Sequence, residues 1–195
     1  MKWVKQSIHY WCPDTKEHKF LGQNVTVAIL DTGISPHPDF KDRILSFRDF
    51  SSTTGSSEQV LFSFSHFSPL IDNSGHGTHV AGILAGSGLL SSGTYAGIAP
   101  FCNLIIGKVL DQNGNGSIKN VINGIQWIRD IYTQFHIRII NISVGTRPDL
   151  SIHQKLLLLN AVESLWDLGL VVVVSAGNYG PAPGSVTVPG SSPKV

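Results

Sequence analysis

Val25-Thr-Val-Ala-Ile-Leu30 runs without a break into Asp31-Thr32-Gly33. All but one of the first six residues are apolar, and most are β-branched. A strand with one wet face would alternate, so this one reads as covered on both faces, the signature of a parallel sheet between helices. Residues 104–110, 138–144 and 170–176 repeat that character, and residues 44–50, which alternate loosely, are expected to pair beside the first strand.

Helical signals separate these runs. Residues 76–85 read as a helix starting near Gly75 and ended by the glycine-rich stretch 86–93. Ile118, Val121, Ile122, Ile125, Ile128 and Tyr132 recur at helical spacing behind Ser117, a suitable N-cap. Residues 151–168 form a further helix closed by Gly169 at the position after its C-cap. Two successive strand–helix–strand units result, and right-handed crossovers make their strands parallel, with their carboxyl ends on one edge. The predicted fold is α/β: a doubly wound parallel sheet in a three-layer α/β/α arrangement. Residues 1–22 read as an extended arm, 23–195 as the α/β domain, and 51–71 as a surface loop.

Bulk composition agrees. At 195 residues the chain has one domain's length, and only 14% of it is charged against about 25% in typical soluble domains. With a net charge of +1 and no basic run, neither nucleic acid nor an anionic membrane surface is expected as a partner. No apolar run approaches a membrane span. The polar stretch 1–20 lacks a secretory leader, so a cytoplasmic location is expected, with secretion as the alternative. Cys12 and Cys102 give no disulfide framework.

Ligands of open parallel sheets sit outside the carboxyl ends of the strands. Asp31, Ser143-Val144-Gly145-Thr146 and Asn178 all follow strands and are therefore expected at one rim. His76 opens a helix and can present its ring over the same edge. A serine hydroxyl needs a base within hydrogen-bond reach, and the base needs a carboxylate to fix its tautomer. His76 and His79 stand three apart, but no cysteine or suitably spaced carboxylate accompanies them, so no metal site is assigned. His79 reads as a packed or structural histidine. No phosphate-cradling glycine loop supports a nucleotide-binding alternative.

Val27-Ala-Ile-Leu-Asp31-Thr-Gly33, Asp72-Asn-Ser-Gly-His76-Gly-Thr-His-Val-Ala-Gly82, Tyr95-Ala-Gly-Ile-Ala-Pro100 and Ser175-Ala-Gly-Asn178 together resemble the subtilisin-like serine peptidases, the subtilases, from about residue 22 onward. Residues 86–95 and 109–117 are similar to the intracellular alkaline-protease branch. The resemblance implies a serine endopeptidase acting on extended polypeptides. In it Asp31 orients, His76 is general base then acid, Asn178 stabilises the oxyanion, and Ser143, Val144 and Gly145 bind substrate. Val144 suggests an apolar or mixed side chain at the pocket rather than a basic one. No cofactor is required. Calcium is carried by relatives, and Asp39 matches a carboxylate of one such site, but the accompanying loop does not match. The complete protein is expected to be monomeric.

The family's nucleophile lies in a Gly-Thr-Ser segment opening a helix well beyond the oxyanion asparagine. No serine between Asn178 and Val195 has that setting. The chain is therefore expected to stop before the catalytic serine, to be incomplete at its C-terminal side and, alone, to be inactive. A non-catalytic peptide-binding or regulatory remnant of a subtilase is the alternative.

Overall fold

The structure, a computed structural model, describes residues 2–8, 10, 20–51, 60–61 and 72–195. Cys12 and most of the expected 51–71 loop lie outside them. Among the described residues six strands form one sheet: β1 (Thr26–Asp31), β2 (Ile44–Asp49), β3 (Val60–Leu61), β4 (Asn103–Lys108), β5 (Ile137–Ile142) and β6 (Val171–Val174). Their order is β3-β2-β4-β1-β5-β6. All neighbours pair in parallel except β3, which runs antiparallel to β2. Among the described residues the α-helices are α1 (Lys2–Ser7), α2 (His76–Ala85), α3 (Ile118–Ile131) and α4 (Ile152–Asp167).

The covered-strand reading of β1 holds: every residue from Thr26 to Asp31 is buried. Because side chains alternate along a strand, β1 serves two cores. Ala28 and Leu30 pack with Ile105 of β4, the apolar face of α3 (Val121, Ile125, Ile128) and Leu158 and Val162 of α4. Val27 and Ile29 pack on the opposite face with Leu104, Ile106, Phe47 and with Ala81 and Ala85 of α2. Helices thus cover both faces, as expected of a doubly wound sheet. The caps also match. Ser117 Oγ accepts from Asn120 N at 3.1 Å. Ser151 and Gln154 form a reciprocal capping box on α4, and Gly169 takes φ +82° after it.

Three expectations are corrected. Residues 2–7 are helical, not extended. β2 lies beside β4 rather than beside β1, so β4 separates it from the first strand. His79 is exposed on α2 rather than packed.

Candidate active site

Asp31 ends β1 on the same sheet face as Val27 and Ile29, the face covered by α2. α2 begins at His76, so the two residues meet across the helix–strand seam. His76 Nδ1 lies 2.7 Å from Asp31 Oδ1, with the carboxylate side chain fully buried and the imidazole 54% exposed. The same oxygen accepts Thr32 N at 2.6 Å. A carboxylate facing Nδ1 fixes the proton on that nitrogen and leaves Nε2 as an acceptor.

What holds His76 there is a network that sequence reasoning left without a role. Asp72, 4% exposed, lies just ahead of α2 and accepts the first-turn N–H groups of Gly75 at 2.9 Å and Thr78 at 2.9 Å, which the helix itself cannot satisfy. Thr78 Oγ1 donates to Asp72 at 2.6 Å. Thr32 Oγ1 bridges the two sides, donating to Asp72 at 2.9 Å and accepting Gly77 N at 2.9 Å. Burial pushes the Asp72 carboxyl upward, but the hydrogen bonds from Thr78, Gly75 and Thr32 outweigh it and leave it below the ordinary carboxylate value. The available signal was an acidic residue just before an apolar helical run, which favours a helix N-terminus.

Buried Lys108 is a second such residue. Paired in register with Asp31, it donates through Nζ to the carbonyls of Thr32 at 2.5 Å and Leu110 at 3.0 Å, tying the ends of β1 and β4 together.

Two glycines act differently at this seam. A Cβ on Gly77 would lie 2.2 Å from Gly33 O, so α2 docks on the Asp31-Thr32-Gly33 turn only because Gly77 has no side chain. Gly75 has open space around it but takes φ +84°, which L residues rarely adopt.

His76, Ser143, Val144, Gly145 and Asn178 line one cleft of about 890 Å³ at the carboxyl edge of the sheet, with Asp31 buried beneath His76. Segments 143–146 and 175–178 are drawn together from β5 and β6. Thr146 Oγ1 donates to Val188 O at 2.9 Å, and Thr187 N donates to Ala176 O at 3.0 Å. Gly145 and Gly177 approach so closely that a Cβ on the former would sit 3.3 Å from the Cα of the latter. Gly177 takes φ +89°, and the turn it makes leaves Asn178 exposed at the cleft.

The Asp39 carboxylate accepts N–H groups from Gly88 at 3.0 Å and Leu90 at 3.3 Å. Among the described residues no group of three or more His, Cys, Asp or Glu could hold a metal.

The chain belongs to the subtilase family, whose Peptidase S8 model matches residues 22–195. It is similar to Serine protease AprX of Bacillus subtilis (strain 168), 40% identical over 179 residues, a match covering 89% of this chain and 37% of that protein. The Major intracellular serine protease of the same organism is 37% identical over 161 residues, covering 82% of this chain and 44% of the relative. Among solved structures, Sphericase superposes with a TM-score of 0.72 at 30% identity, over 89% of this chain and 52% of that one. S41 Psychrophilic Protease gives 0.69 at 34% identity, over 87% and 50%. The chain thus spans between 37% and 52% of the length of these relatives.

Proposed function

We propose that this chain carries the carboxylate, the general base and one oxyanion donor of a serine endopeptidase. The observation that carries the reading is the 2.7 Å contact between His76 Nδ1 and buried Asp31, with the rest of the ring open beside the cleft. Asp31 holds the Nδ1–H tautomer and stabilises the imidazolium. Nε2 of His76 takes the proton from an attacking serine and returns it to the leaving amine. The exposed amide of Asn178 donates to the developing oxyanion, an interaction whose removal costs about 10²–10³-fold in kcat, a magnitude set by subtilisin itself. The segment Ser143–Val144–Gly145 pairs with an extended substrate, for which main-chain hydrogen bonds supply affinity.

No serine of the given sequence stands in a Gly-Thr-Ser segment, and on this reading the 195 residues alone turn over no peptide. A fluorophosphonate probe should leave the chain unlabelled. In a polypeptide continuing through a Gly-Thr-Ser segment, labelling appears and Asp31→Asn lowers kcat by about 10⁴-fold. Labelling of the 195-residue chain would sink the assignment of the nucleophile, and unchanged turnover in Asp31→Asn the assignment of the pair. The open cleft lined by Ser143, Val144 and Gly145 also suits a second reading, peptide binding without chemistry. It predicts saturable peptide binding by a protein whose longer form still resists the probe.

A further inference from the structure

Asn stands directly before Gly three times in the chain, at 113–114, 115–116 and 123–124. Such a step is open to one uncatalysed reaction, because glycine has no side chain to shield its main-chain nitrogen. Once deprotonated, that nitrogen attacks the amide carbon of the Asn side chain. A carbon–nitrogen bond forms, ammonia leaves, and a five-membered imide results. Water then opens the imide at either carbonyl, giving aspartate or isoaspartate, and no oxidant or reductant enters.

The fold treats the three steps differently. Asn123 and Gly124 lie inside α3, where the Gly124 N–H belongs to the helix ladder and Gly124 is buried. Asn113 and Asn115 are both exposed in the turn that follows β4. Gly114 N, however, donates to Asp111 O at 3.1 Å, a bond that deprotonation would forfeit. Gly116 N has no acceptor among the described residues. The carbonyl of its own peptide group, Asn115 O, accepts Asp111 N at 2.7 Å. A deprotonated peptide nitrogen shares its charge with that oxygen, so a donor placed there favours the attacking form. Nor can the turn dispense with this glycine, since a Cβ on Gly116 would lie 2.5 Å from Val109 O.

Asn115 also lines the main cleft, whose lining includes His76 and Arg147 but no Asp or Glu. We propose that Asn115 is a site of spontaneous modification, closing through an imide with Gly116 and giving the cleft a carboxylate it otherwise lacks. The isoaspartate product carries the main chain through one more methylene, which also draws the carbonyl at 115 away from Asp111 N. The chemistry is the same whatever the cleft binds.

The 195-residue chain is aged in mildly alkaline buffer, folded or unfolded in guanidinium chloride, and digested with trypsin at intervals. Cleavage after Lys108, Lys119 and Arg129 leaves Asn113 and Asn115 on one peptide and Asn123 on the next. Fragmentation by mass spectrometry then assigns each gain of mass, with an unaged sample as the baseline. Unfolded, the three asparagines convert at comparable rates. Folded, Asn115 converts about fivefold faster than Asn113 or more, the difference one main-chain hydrogen bond makes, and Asn123 is slowest. Asn115→Gln removes most of the acidic form that anion exchange separates from aged folded chain, while Asn113→Gln leaves it. Circular dichroism verifies that each variant is folded.

A ratio of Asn115 to Asn113 conversion that is the same folded and unfolded overturns the assignment, reducing it to a property of the dipeptide. So does faster conversion at Asn113 or Asn123 in the folded chain. A folded chain in which none of the three converts, while the unfolded chain converts at all of them, overturns it too.

Discussion

Asp72 accepts hydrogen bonds from Thr32, Ser74, Gly75 and twice from Thr78 through only two carboxylate oxygens. Its geometry fixes where α2 starts and so where His76 stands, although Asp72 itself lines no part of the cleft. Because these donors hold its folded pKa below the ordinary value, the sign of its pH effect follows. The stabilisation is fully present above the unfolded carboxyl pKa, near about 4, and disappears as pH falls through the depressed folded value. Asp72→Asn replaces one acceptor oxygen by an NH₂ group facing N–H and O–H donors. We expect it to lower stability by about 1–3 kcal/mol at neutral pH. As pH falls from about 4 through the depressed folded value the variant and parent should converge, because the parent loses the same contribution over that range. Urea unfolding across that range checks both points; parallel curves offset by a constant would show that the charge on Asp72 is not what matters. His76 carries a separate expectation at this scale. In the NMR spectrum its Nδ1–H should persist as a protected ring proton, and Asp31→Asn should broaden or shift it, since the amide no longer supplies the same acceptor.

One element, α2, converts those contacts into site geometry. Its docking is limited by backbone: a Cβ at position 77 would press on Gly33 O at 2.2 Å, and a main-chain carbonyl cannot swing aside as the end of a flexible side chain could. Gly77→Ala should therefore lift the first turn of the helix, costing about 1–3 kcal/mol and separating His76 from Asp31. Gly75→Ala meets no atom within 4 Å and is opposed only by φ +84°. Its cost is about 1–2 kcal/mol for a left-handed L residue, with the His76 Nδ1–H signal retained. Thermal unfolding alongside the histidine NMR signal distinguishes them, and retention of that signal in Gly77→Ala would refute the docking argument. The start of α2 was legible because glycine, then a polar turn, then an apolar run is a local pattern. So were the cap at Ser117, the stop at Gly169 and the bulk of β1. The neighbour of β2 was not, because loose alternation marks a half-buried strand without specifying which edge it joins. Nor was α1, since Lys2–Ser7 is too short to display a helical period. Thr32 and Asp72 stood in plain view but acquire their role only when positions 40 residues apart meet.

The two cores of the whole molecule are unequal in reach. α3 and α4 cover one face of the sheet as far as β6, where Val172 is 6% exposed. On the other face α2 covers β1 and β4, but its cluster includes no residue of β6. Val171 and Val173, whose side chains point to that uncovered face, are 53% and 47% exposed. Ile152, at 77%, and Leu156, at 52%, add exposed apolar area on α4. The sequence revealed that β6 was apolar enough for burial on both faces, yet the partner for its second face is not among the described residues. Exposed apolar patches beside an unpaired strand edge promote association. We therefore expect the 195-residue chain to self-associate increasingly across the micromolar range, with sedimentation velocity showing the weight-average coefficient rising with concentration. Val171→Lys with Val173→Lys places charge where water already reaches, so each should alter stability by no more than about 0.5 kcal/mol while suppressing the rise. A chain that sediments as a monomer throughout, or a double variant that associates as strongly as the parent, would move the cause away from β6. The exposed face of α4 would then be the next surface to alter, because Ile152 and Leu156 also lie open to solvent.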